Sequence, residues 1–104
     1  MRRGEIWWVR FPSPIGLRPA VLVSRNQAYR VRTAVTVVPL TRTIRRIPVE
    51  VALGPEDGIP QRSVANADTV ATVPKTSLVE YLTTLSPAKL QALDQALKFA
   101  MDLP

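Results

Sequence analysis

Glu5-Ile6-Trp7-Trp8-Val9-Arg10-Phe11 is the stretch on which the fold class turns. Successive side chains of an extended segment point to opposite sides, so Trp7, Val9 and Phe11 share one face while Ile6 and Trp8 share the other. Both faces of this strand call for burial. Downstream, residues 20–24 and 34–40 are near-continuous apolar runs of the kind that form central strands. Further strands are expected at residues 47–53, 63–67 and 69–73, with a short one at 79–83, and a Gly/Pro-rich turn at 54–60 separates the first two of these. The pattern changes only at the end. Ser86-Pro87 supplies an N-cap with proline at the first helical position, and Leu90, Leu93, Leu97 and Met101 follow at helical spacing. Asp94 and Lys98 are spaced to pair on the outer side of that helix. Many short strands followed by one helix predict a mainly β domain, a small barrel or sandwich with a C-terminal α-helix, spanning residues 1–104.

The chain has 104 residues, which suits one domain and excludes an enzyme with separate cofactor and substrate lobes. It contains no cysteine and no histidine, so disulfides, thiol nucleophiles, Cys/His zinc sites and histidine general bases are excluded together. The acids (Glu5, Glu50, Glu56, Asp57, Asp68, Glu80, Asp94 and Asp102) are scattered, which argues against a carboxylate-held metal, and no cofactor is expected. No apolar run is long enough to span a bilayer, and Met1-Arg2-Arg3-Gly4 leads directly into a strand without a signal-peptide core, so a cytoplasmic protein with no membrane partner is expected.

Charge is more informative. The net charge is +6, and residues 1–52 hold ten arginines against Glu5 and Glu50, whereas the second half is net acidic. Arginine, with its planar fork of donors, suits phosphate groups and base edges, so a polyanionic partner is expected. The arginines gather in the connections. Pro12-Ser13-Pro14-Ile15-Gly16-Leu17 is a turn-rich loop in which Gly16 is free to take positive φ, and Arg18 closes it. Residues 25–33 carry Arg25, Arg30 and Arg32; residues 41–46 carry Thr41, Arg42, Arg45 and Arg46.

RNA is the phosphodiester that such a chain can cut, because the substrate's own 2′-hydroxyl serves as nucleophile and the protein need only orient it, move protons and stabilise charge on the phosphoryl oxygens. Arg18, fixed beside Pro19 at the end of a loop, is a candidate phosphate clamp, or else a solvated strand cap. Thr41, at the exit of a buried strand, could donate its hydroxyl to a phosphate, or simply end the strand. Asp68, in Asn66-Ala67-Asp68-Thr69, is a candidate base or a turn residue. Arg25, Arg30, Arg42, Arg45 and Arg46 are candidate RNA contacts.

Arg3-Gly4-Glu5-Ile6-Trp7, Arg18-Pro19-Ala20-Val21-Leu22-Val23, Val37-Val38-Pro39-Leu40-Thr41, Pro48-Val49-Glu50-Val51, Ser63-Val64 and Leu85-Ser86-Pro87 before Leu93-Asp94-Gln95-Ala96-Leu97 together resemble the MazF/PemK-type toxins of bacterial toxin–antitoxin modules. The resemblance implies a small SH3-like β-barrel with a C-terminal helix and a homodimer. It further implies metal-independent cleavage of single-stranded RNA at short sequences, leaving 2′,3′-cyclic phosphate and 5′-hydroxyl ends, and a cognate acidic antitoxin. It assigns catalysis to Arg18 and Thr41, with Asp68 near a position where some members use an aspartate. The loop before Arg18 is shorter than is common in that family and lacks an acid. Two other functions fit the same fold: a CcdB-like gyrase-binding toxin and a non-catalytic SH3-like RNA-binding module. The first acts through a tryptophan-containing C-terminal tail, which Met101-Asp102-Leu103-Pro104 is not.

Overall fold

A computed structural model describes all residues from Met1 to Pro104. Seven strands form the sheet: β1 (Glu5–Arg10), β2 (Leu17–Leu22), β3 (Ala34–Thr41), β4 (Glu50–Leu53), β5 (Ser63–Asn66), β6 (Ala71–Pro74) and β7 (Leu78–Thr84). A one-turn helix α1 (Ala28–Val31) interrupts the polar link between β2 and β3, and α2 (Pro87–Ala100) ends the fold. The order is β4-β5-β3-β2-β1-β7, with β6 added to β3, and every pairing is antiparallel. No ladder joins β4 to β7, so the expected barrel is an open sheet whose β4 end is covered by α2.

The two-faced reading of the first strand is borne out, because each face has its own core. Ile6, Val21, Val38, Leu40, Val51, Leu53 and Ala65 pack with Leu93 and Ala96 of α2 on one side. Val9, Phe11, Ala20, Leu22, Val35, Val37 and Val73 pack with Tyr29 and Leu78 on the other. The alternation holds strand by strand, which explains why β2 and β3 read as continuous apolar runs.

The helix starts as expected, with Ser86 Oγ accepting from the Lys89 N–H at 3.2 Å. Met101, placed by its spacing on the apolar face, lies beyond the last turn and is exposed. Asp94 does not pair with Lys98. It accepts from Arg3 Nη2 at 2.6 Å, and Arg3 Nε also donates to the Val23 carbonyl at 3.1 Å. A guanidinium held at both ends has less entropy to lose than a free lysine, so it takes the carboxylate. The strand expected at residues 47–53 is confined to β4, because residues 47–49 form a turn closed by the Glu50 N–H on the Ile47 carbonyl at 3.0 Å. No helix is long and apolar enough to cross a membrane.

Candidate active site

β3 is the hub of the sheet. Its first half pairs with β6 on one edge and its centre with β2 on the other, in the register Ala20↔Pro39, Val21↔Val38 and Leu22↔Val37. Two residues further in the same register, Arg18 would stand opposite Thr41 with both side chains on one face. The β2–β3 ladder ends before that point, at prolines that have no N–H to give, and the end of β3 is held by β5 instead, through Leu40↔Ala65 and Thr41↔Val64. The parting of β2 and β3 makes the site.

Two open hollows flank Arg18. One, of about 340 Å³, is floored by Leu40 and Ile59 and bordered by Trp8, Arg42 and Gln61. The other, of about 320 Å³, is floored by Phe11 and bordered by Thr41, Arg45, Asn66 and Thr69. Ile15 and Arg18 belong to both. Each hollow is the open end of one core, since Leu40 and Ile59 belong to the α2 side and Phe11 to the opposite side. Gly16, at φ 70°, turns the loop that brings Ile15 over the rim.

The chain leaves these cations free for a ligand. The three ion pairs, Arg3–Asp94, Arg62–Glu56 and Lys89–Asp57, all lie elsewhere, and Arg18 is half-buried with no acid on it. Arg42 donates Nη1 to the neutral side-chain oxygen of Gln61. Thr41 Oγ1 accepts from the Thr43 N–H at 3.2 Å, which leaves its own hydrogen available for donation. Residues 42–49 are shaped by Glu50, whose carboxylate accepts from the Arg45 N–H at 3.0 and 3.1 Å and from the Arg46 N–H at 2.8 Å. Arg46 takes φ 58° there, a left-handed conformation for a non-glycine residue.

Of the residues singled out from the sequence, the structure brings Arg18, Thr41, Arg42 and Arg45 together. Arg46 is exposed on the same connection but borders neither hollow. Arg25 lies against a separate, wider hollow beside α2, where Arg3 and Asp94 neutralise each other, and Arg30 is exposed on α1. Asp68 sits in a three-residue 3₁₀ turn, Ala67–Thr69, with its side chain exposed and outside both hollows. Its backbone N–H donates to Asn66 Oδ1 at 2.8 Å, which is the geometry of a turn. The sequence reading passed over Asn66, Glu50 and Gln61. Asn66 was findable in principle as the one amide in a short buried strand; Glu50 and Gln61 act through contacts that only the folded chain creates.

A family model of PemK-like, MazF-like toxins of type II toxin–antitoxin systems matches residues 2–101. The chain is 43% identical over 102 residues to "Probable endoribonuclease MazF5" of Mycobacterium tuberculosis, covering 96% of this chain and 92% of that protein. Among solved structures it superposes on the Mycobacterium tuberculosis toxin MazF-mt6 with a TM-score of 0.88 at 29% identity, over 96% of this chain and 98% of the other. A mycobacterial endoribonuclease solved in complex with its cognate antitoxin gives a TM-score of 0.87 at 35% identity, over 100% of this chain and 97% of the other. With the match running through both flanks of the Arg18–Thr41 gap, the chain belongs to the PemK-like, MazF-like toxins of type II toxin–antitoxin systems.

Proposed function

We propose that this protein is a toxin endoribonuclease that cleaves single-stranded RNA at short sequences without a metal ion. The observation that carries the reading is that Arg18, in no ion pair, borders one hollow together with Thr41 where the β2–β3 ladder ends. A scissile phosphate seated there presents its non-bridging oxygens to both donors. The 2′-oxygen attacks phosphorus and loses its proton, the P–O5′ bond breaks, and the 5′-oxygen leaves with a proton. The products are a 2′,3′-cyclic phosphate and a 5′-hydroxyl. Charge grows on the non-bridging oxygens as the fifth bond forms, and donors already aimed at them stabilise that state more than the ground state. Arginine stays protonated throughout, so its part is electrostatic. The acids form no group of three that could hold a metal, and Asp68 borders neither hollow.

Arg42 and Arg45 lie where the strand would enter and leave, and serve as phosphate contacts. Arg46, Arg25 and Arg30 are outer cations that meet only a longer RNA. An acidic antitoxin segment fits the same unneutralised groove, as the solved complex of a related endoribonuclease with its antitoxin suggests by analogy. The homodimer that the resemblance implies draws no support from β1, whose two faces are covered within one chain. Support comes instead from Ile15 on the loop, Leu17 at the start of β2, and Val79 and Tyr81 on edge strand β7, which expose apolar surface that a second copy would cover.

Single-turnover cleavage of a short single-stranded RNA in excess chelator tests the reading. Arg18→Ala and Thr41→Ala should each lower the saturated rate by roughly 10²-fold, the usual loss for one preorganised donor. Arg42→Ala and Arg45→Ala should keep that rate and flatten the salt dependence of binding by about 0.7 to 1 per lost phosphate. An Arg18→Ala protein that cuts at the wild-type rate once saturated, or activity that vanishes in chelator and returns with magnesium, would overturn the mechanism.

A further inference from the structure

Asn66 is a buried polar side chain, with a relative exposure of 5%. The register explains what it faces. Glu50 of β4 pairs with Asn66 of β5, and the Leu40↔Ala65 register carried on by one residue sets Asn66 across from Pro39 of β3. Thr41 lies two residues from Pro39, hence on the same face, and Arg18, two residues before Ala20 on β2, lies on that face as well. Asn66, Thr41 and Arg18 therefore look into one space, and all three border the hollow floored by Phe11.

The amide has only one orientation open to it. Oδ1 accepts the Asp68 N–H at 2.8 Å, which fixes Nδ2 on the opposite side. The backbone of Asn66 is tied down as well, because the Thr69 hydroxyl donates to its carbonyl at 2.8 Å. Nδ2 donates to no protein atom, yet no buried side-chain nitrogen or oxygen in the chain is left without a partner, so Nδ2 is open to the hollow. A donor held by its own carbonyl oxygen, on a strand rather than a loop, is preorganised in the sense that electrostatic catalysis requires.

We propose that Asn66 is a third catalytic donor, its Nδ2–H bonding a non-bridging oxygen of the scissile phosphate alongside Arg18 and Thr41. This rests on the ribonuclease reading above. It also gives the residues between β5 and β6 a purpose. The ladder of β3 with β5 and that with β6 differ in register by the length of the Ala67–Thr69 turn, and this turn is what presents the Asp68 N–H to Asn66. Asp68 thus acts through its backbone, as the group that positions the amide.

Two substitutions in the full-length protein separate donor from brace. Asn66→Ala removes both the donor and the acceptor for the Asp68 N–H; Asn66→Asp keeps the acceptor and removes the donor. Each is assayed by single-turnover cleavage at saturating protein on a short RNA whose scissile linkage is a normal phosphate or either phosphorothioate diastereomer. The expected result is a rate loss on the order of 10²-fold for both variants with binding changed far less. The penalty that sulfur imposes in the wild type at one diastereomer should also disappear in both. Rates within threefold of wild type, an Asn66→Asp protein that regains the rate lost in Asn66→Ala, or an unchanged sulfur penalty at both diastereomers would overturn the proposal while leaving the Arg18–Thr41 reading intact. A wild-type protein that leaves 5′-phosphate ends would instead overturn that reading, and this proposal with it.

Discussion

Glu50→Ala should loosen the basic connection at residues 42–49 without unfolding the sheet. In the wild type one carboxylate receives two backbone N–H groups, that of Arg45 shared between its two oxygens at 3.0 and 3.1 Å and that of Arg46 at 2.8 Å. Hydrogen bonds to a charged acceptor contribute about 1.5–3 kcal/mol when buried, and solvent exposure brings these nearer to about 1 kcal/mol each. Against this, holding Arg46 at φ 58° costs about 1–2 kcal/mol, which is recovered when the segment lets go. The net global loss is therefore small, about 1 kcal/mol, or roughly 4–8 °C in Tm for a chain of this size. Local opening is another matter. If the two bonds together hold the segment closed by about 1–2 kcal/mol, removing them raises its open fraction by roughly 5- to 30-fold. Arg42, Arg45 and Arg46 are sites for a trypsin-like protease, so limited proteolysis with mass analysis should find nicking at these positions faster by that factor. Glu50→Gln, which keeps an acceptor but not the charge, should fall between. The saturated cleavage rate should be kept, as for Arg45→Ala, while RNA binding weakens modestly as Arg45 loses its place at the hollow, a loss softened by the rise in net charge from +6 to +7. Nicking of Glu50→Ala at the wild-type rate would refute the idea that the carboxylate organises this segment.

Burial pushes the Tyr29 phenol up to about 12 from 10.0, so the folded chain holds this proton more tightly than the unfolded chain does. The stability this provides is present below about pH 10 and is lost as pH rises towards 12, and Tyr29→Phe, followed by urea denaturation at several alkaline pH values, should flatten that decline. The same variant should be less stable at neutral pH by about 1 kcal/mol, because the bond from the Tyr29 hydroxyl to the Ser24 carbonyl at 3.1 Å is gone. Gly58→Ala should destabilise by about 2 kcal/mol or more, since Gly58 sits at φ 91° and a Cβ there would come 2.6 Å from Thr83 Oγ1 on a stiff β-branched side chain. Adding Thr83→Ala should recover the steric part and leave the backbone part, which a double-mutant cycle in urea would measure.

Much of the fold was legible because its pattern is local. The alternation of residues 5–11, the N-cap at Ser86 and the turn at Gly16 each act over a few residues, and each appears in the structure where the sequence puts it. What was not legible depends on distant partners. Arg3 takes Asp94 from Lys98 across the whole length of the chain, and the sheet stays open because β4 and β7 never meet. The site divides in the same way. Arg18 and Thr41 stand out through their place at strand ends, although nothing in the sequence says that they border one hollow; that follows from how β2 and β3 pair and then part. Asp68 drew attention as a carboxylate, but a three-residue turn rotates it outward and leaves its neighbour Asn66 facing in. Arg25 and Arg30 carry the same charge as Arg42 and Arg45, yet composition cannot tell which connection folds towards the gap.

The position of the gap at the open ends of two separate cores bears on how such a chain can diverge. Its floor is made of residues that also hold the sheet together, Leu40 and Ile59 beneath one hollow and Phe11 beneath the other. Its lip is made of the loop before Arg18 and the connection after Thr41, whose exposed side chains contribute to neither core. A lineage can therefore lengthen, shorten or recharge the lip and so change which ligands the proposed site admits, while its depth and spacing are inherited unchanged from the packing beneath it.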